Sequence, residues 1–141
     1  MNRSRKVLII GATSAIAVAC ARLWAEEKAS FFLAGRQPQH MTQIADDLTA
    51  RGAEKVTCHT LDFTHVNDHA AMLKACVDVL GHIDIALVCY GTLPDQEKCE
   101  RDALYAQEQF MTNGLSVILL LGQLANVLEQ QGSVTIVAVS S

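Results

Sequence analysis

Short, nearly continuous apolar runs alternate along this chain with longer stretches in which apolar residues return every three or four positions. Runs at 6–10, 30–34, 55–60, 83–89 and 133–139 predict five strands. The first and fourth are apolar on successive positions, the mark of parallel strands buried on both faces. Between them the helical period predicts helices over about 14–28, 39–51, 66–80 and 98–130, the last bent near Asn113-Gly114. In the first helix Ile16, Ala19, Cys20, Leu23 and Trp24 form the expected inner stripe; in the second, Met41, Ile44, Ala45 and Leu48. Gly52, Gly81 and Gly132 stand where helices should stop, and Thr64 or Asn67 where the third should start. Strict strand–helix alternation implies an α/β fold: one doubly wound parallel sheet, strand order 3-2-1-4-5, with right-handed crossovers and helices on both faces.

Composition narrows the class. The 141 residues suit a single domain with a real core, and 50% hydrophobic against 18% charged residues indicates a globular chain. A net charge of −4 disfavours a general nucleic-acid binder. Five cysteines, an odd number without a C-x-x-C pair, predict free thiols in a reducing cytoplasm. No signal peptide is visible, and the longest apolar run, Val117 to Leu121, is too short to span a bilayer. His65 and His69 lie four apart near Asp62 and Asp68, but no third soft ligand follows at a diagnostic spacing, so no metal site is expected.

The candidate chemistry starts at the turn after the first strand. Small residues hand the strand to a helix whose free N-terminal N–H groups would attract a phosphate. The sequence Gly11-x-x-x-Ala15-x-Ala17 resembles the Gly-x-x-x-Gly-x-Gly turn of short-chain dehydrogenases/reductases, with two glycines replaced by alanine. The resemblance covers nearly the whole chain and implies a Rossmann-like, NAD(P)-binding domain over residues 1–141. It assigns Gly11, Thr13, Ser14, Ala15 and Ile16 to the phosphate-facing turn.

A NAD-binding unit places an acidic residue about 20 residues beyond the glycines, to hold the ribose hydroxyls. Here the second strand ends Ala34-Gly35-Arg36. A guanidinium can instead grip a 2′-phosphate through paired, charge-assisted bonds, which favours NADP(H) over NAD(H), and the missing acid weakens an S-adenosylmethionine methyltransferase reading, which needs similar ribose recognition. After the third strand, the resemblance sets Asp62 beside an adenine amino group, with the Phe63 backbone lining the base. After the fourth, where the family carries Asn-Ala-Gly, this chain has Cys89-Tyr90-Gly91. Gly91 fits; Tyr90 reads as a packing wall rather than an acid. The resemblance also assigns Asn113 to the active-site proton relay and Ser141, with Ser140 as the fallback, to the substrate carbonyl.

The family's acid/base pair, Tyr-x-x-x-Lys, is absent: Pro94 stands four residues after Tyr90 and Gln109 four after Tyr105. The leading expectation is thus the N-terminal, cofactor-binding part of an NADP(H)-preferring oxidoreductase acting on a carbonyl or alcohol, incomplete for catalysis. The alternatives are a non-catalytic dinucleotide-binding module and an inactive remnant. An exposed apolar edge at the fifth strand, with Ile118, Leu121, Leu124, Ala125 and Leu128 of the long helix, predicts self-association through 98–130.

Overall fold

The computed structural model describes residues 3–139 and arranges five parallel strands in the order β3-β2-β1-β4-β5. The strands are β1 (Lys6–Ile10), β2 (Ser30–Gly35), β3 (Lys55–Thr60), β4 (Ile85–Val88) and β5 (Thr135–Ala138). The crossovers carry α1 (Ala15–Glu26), α2 (Pro38–Arg51) and α3 (His69–Leu80). Before β5 the chain forms α4 (Gln96–Arg101), α5 (Ala103–Phe110), a π-helical turn (Met111–Leu115) and α6 (Ser116–Glu129). Strands β4 and β5 are shorter than the apolar runs that predict them, because pairing stops where the ladder partners end.

Side chains of one strand alternate between two cores. Leu8 and Ile10 of β1 face α3 and α6, packing with Phe32, Met72, Leu73, Leu120 and Leu124. Val7 and Ile9 face α1 and α2, packing with Phe31, Leu33, Met41 and Leu48. Full burial of such side chains contributes about 1.5–3 kcal/mol each. The central strands are therefore apolar beyond their first residues, whereas β3, at the edge, mixes exposed and half-buried positions.

Helix α1 bears out the expected stripe at Cys20 and Trp24, which pack half-buried on the core, and corrects it at Ile16, Ala19 and Leu23, which are exposed. Ala17, Ala21 and Ala25 are its buried residues, while Ile16 is 53% and Leu23 66% exposed. The alanine face lets the helix lie close to the sheet beneath the first turn, which turns the larger residues outward. Helix α2 buries Met41, Ile44 and Leu48 and ends at Gly52, whose φ of 117° only glycine adopts readily. Neither Thr64 nor Asn67 caps α3; a 3₁₀ turn, Val66–Asp68, leads into it, and Thr64 is tied instead to Asp62.

The long helix is broken where Asp102 accepts from the N–H groups of Leu104 and Tyr105, ending α4 and starting α5. The bend expected near Asn113-Gly114 is the π-helical turn, an extra residue inserted into the helical ladder. On α6, Leu120, Leu124 and Leu128 point into the core, so Leu124 and Leu128 do not belong to the outer surface. The helical run Ala103–Glu129 is long and apolar enough to cross a membrane by length and composition, because glycines, alanines and serines extend the short Val117–Leu121 run. Its Leu120–Leu124–Leu128 face nevertheless packs on the sheet. The exposed large apolar residues of this run are Leu104, Phe110, Leu115, Ile118 and Leu119.

Candidate dinucleotide site

The strand ends β1 to β4 converge on one edge of the sheet. Gly11 N–H and Ala12 N–H both donate to Ala34 O (2.9 and 3.2 Å), which binds the first turn to the exit of β2. Leu61 N–H donates to Gly35 O (3.0 Å) and Cys89 N–H to Ile10 O (2.7 Å). The order of strands reverses between β1 and β4, the switch point at which open α/β sheets form a crevice. A cavity of about 170 Å³ opens there. Gly11, Thr13, Ser14, Arg36, Asp62, Phe63 and Gly91 line it. Ala15 and Ile16 do not; they start α1 and are exposed.

Gly11 is glycine for two local reasons. Its φ is +85°, and a Cβ would sit 2.6 Å from Tyr90 N and 2.7 Å from Cys89 C. The strand β4 exit thus presses directly on the turn, leaving the mouth free. Ser14 occupies the N-cap position of α1 without a side-chain cap bond, so the helix opens toward the cavity with uncapped N–H groups.

Arg36 is exposed beside the turn and forms no hydrogen bond or ion pair among the described residues. Asp62 accepts from Thr64 N–H (2.9 Å) and Thr64 Oγ–H (2.7 Å). These bonds, reinforced by the charges of His65 and Arg36, hold its carboxyl below the usual carboxylate range despite partial burial. Both bonds land on Oδ1, and Oδ2 carries none among the described residues. Asp62 therefore presents a charged acceptor across the cavity from Arg36.

Tyr90 and Phe63 stack face to face, centroids 4.3 Å apart at 19°. The Tyr90 hydroxyl bonds Ser116 Oγ (3.0 Å), and Ser116 in turn donates to Thr112 O (3.0 Å). Burial pushes the Tyr90 phenol up, partly offset by Ser116, which makes it a poorer proton donor near neutrality. Tyr90 thus joins Phe63 to Ser116 at the start of α6.

Asn113 lies beside the cavity rather than in its lining. Its Oδ1 accepts from Thr92 N–H (2.6 Å) and its Nδ2 donates to Thr92 O (2.9 Å), clamping the loop after β4. Gly91 is shaped to this clamp: a Cβ there would lie 2.9 Å from Asn113 Oδ1. With the Asn113 side chain engaged, Thr112 is the residue of the π-helical turn that lines the cavity. Thr92 and Ser116 carry no signal in sequence, since each acts through a partner more than 20 residues away. Ser140 and Ser141 lie outside the described residues.

His65 is exposed and His69 buried, so the two do not converge; no group of three or more His, Cys, Asp or Glu gathers among the described residues. The five cysteines are all unpaired, and burial pushes Cys76 up to about 12.

Comparison with known proteins gives this geometry its context. An uncharacterised oxidoreductase from the mprA 5′ region of Streptomyces coelicolor is 34% identical over 141 residues, 97% of this chain and 54% of its own length. A short-chain type dehydrogenase/reductase from Mycobacterium marinum superposes with a TM-score of 0.87 at 27% identity, covering 97% of this chain and 56% of that one. An F189W actinorhodin polyketide ketoreductase solved with NADPH superposes at 0.86 with 23% identity, over 97% of this chain and 53% of that one, a likeness of fold. The chain therefore spans about half the length of the relatives it matches. The family model for short chain dehydrogenase matches residues 5–141, and the chain belongs to that family of oxidoreductases.

Proposed function

We propose that this chain supplies the cofactor half of an NADP(H)-preferring oxidoreductase that moves a hydride between nicotinamide and a carbonyl or alcohol. Members of the family bind NAD(P)(H). The observation that carries the preference is Arg36: an unpaired guanidinium at the exit of β2, where a NAD-selective site would put a carboxylate. The 11–14 turn and the start of α1 would hold the pyrophosphate, Arg36 the 2′-phosphate and Asp62 the adenine amino group.

The nicotinamide, when bound, supplies the hydride chemistry. The residues here bind and orient: Tyr90 and Phe63 wall the cleft, and Asn113 holds the Thr92 loop against it. The family's Tyr-x-x-x-Lys pair, which would carry the proton transfer, is absent from these 141 residues, so the roles proposed for them are binding and orientation. The substrate is held to be a small molecule rather than nucleic acid or membrane, and the setting cytoplasmic. The chain is also proposed to self-associate through 98–130, which leaves Phe110 (76%) and Ile118 (66%) exposed.

Hydrogen exchange with and without NADPH tests the placement. The account expects slowed exchange at 11–17 and 61–64 and unchanged exchange at the opposite sheet edge around Asp84. Protection confined to other segments would refute it.

A further inference from the structure

We propose that His69 is a positioning residue for the adenine end of the cleft, acting through the Phe63 carbonyl. The inference rests on the dinucleotide reading of that cleft. His69 is fully buried, and its Nε2 lies 2.6 Å from Phe63 O. A carbonyl oxygen can only accept, so the proton sits on Nε2. The other ring nitrogen, Nδ1, is buried without a hydrogen-bond partner among the described residues. A core position filled for packing alone would be apolar and leave no such orphan. The ring is there for its one bond, and that bond fixes a single point of the chain.

That point matters because of its neighbours. Phe63 follows Asp62, lines the cavity and stacks its ring on Tyr90. Asp62 is fixed from the other side by Thr64. The loop that offers Oδ2 and the Phe63 backbone to a base is thus pinned at three consecutive residues, and among the described residues His69 supplies the hydrogen bond to it from helix α3. Without it the peptide after Phe63 can rotate and the stack on Tyr90 loses its anchor.

Titration of the full chain with 2′,5′-ADP, which carries only the adenosine half of the cofactor, tests this. His69→Met fills the space and removes the orphan nitrogen but leaves Phe63 O without its donor, so its unfolding temperature should fall only slightly below wild type. Its affinity for 2′,5′-ADP should nevertheless fall about fivefold, the loss of one positioning bond. His69→Gln can restore a donor at the Nε2 position and should return affinity to within about twofold of wild type. Equal affinity in wild type and His69→Met would overturn the role while leaving the cleft reading intact. Failure of wild type itself to bind would overturn the cleft reading, and this inference with it. Should His69→Met not fold, proton–nitrogen correlation spectra of wild type decide. An Nε2-protonated ring whose signals shift on adding 2′,5′-ADP supports the role; an Nδ1-protonated ring, or one indifferent to the ligand, overturns it.

Discussion

Asp62 is the residue at which charge, geometry and the proposed ligand meet. Its carboxyl is held down mainly by the two bonds from Thr64, so the folded state binds the ionised form more tightly than the unfolded state does. Such a group adds stability that is fully present above its unfolded value and is lost as pH falls through the lower folded one. Asp62→Asn keeps the shape and removes the charge. Urea denaturation should therefore show wild type more stable than the variant at pH 6, with the gap closing only below about pH 4. A gap independent of pH would mean that the charge contributes nothing. Asn113 acts through two bonds to one residue, and Asn113→Ala should cost about 1–2 kcal/mol and speed exchange of the Thr92 amide. Both residues are visible in sequence as polar punctuation after a strand or within a helix. What sequence cannot show is the partner: Thr92 and Ser116 matter only because the fold folds a helix back over the loop after β4.

At the scale of elements, the strand–turn–helix unit from Lys6 to Glu26 sets the site. Its strand, its turn and the next strand are legible because parallel central strands tolerate little but apolar residues and leave short, sharply bounded runs. The inner face of α1 is not legible in the same way. An alanine-rich helix offers apolar residues on every side, and periodicity points to Ile16, Ala19, Cys20, Leu23 and Trp24; close approach to the sheet fully buries Ala17, Ala21 and Ala25, leaving Cys20 and Trp24 half-buried. The subdivision of 98–130 was hidden for a related reason, since Asp102 and the π-helical turn interrupt the ladder without interrupting helical composition. The turn itself is constrained by the β4 exit. Gly11→Ala puts a Cβ against the Tyr90 and Cys89 backbone at a φ of +85°, and backbone cannot yield as a side-chain tip would. The substitution should destabilise by about 1–3 kcal/mol or more, read as a lower urea midpoint at unchanged slope. A midpoint equal to wild type would contradict the packing described for this turn.

For the whole molecule, exposed apolar residues stand on α1 (Ile16, Leu23), at Leu93, on the outer face of the 103–119 run and along β5 and its exit, where Ile136, Val137 and Val139 are about 40% exposed. Replacing Phe110 and Ile118 together by lysine should lower the mass seen by light scattering at high concentration, without changing the unfolding temperature. The cofactor preference of the cleft rests on Arg36. Fluorescence titration of wild type and Arg36→Ala with NADPH and NADH tests it most directly. Wild type should bind NADPH at least about tenfold more tightly than NADH, the worth of one charge-assisted contact, and Arg36→Ala should bring the two affinities together by weakening NADPH alone. Equal or tighter binding of NADH by wild type, or an Arg36→Ala variant that keeps the preference, would contradict the account.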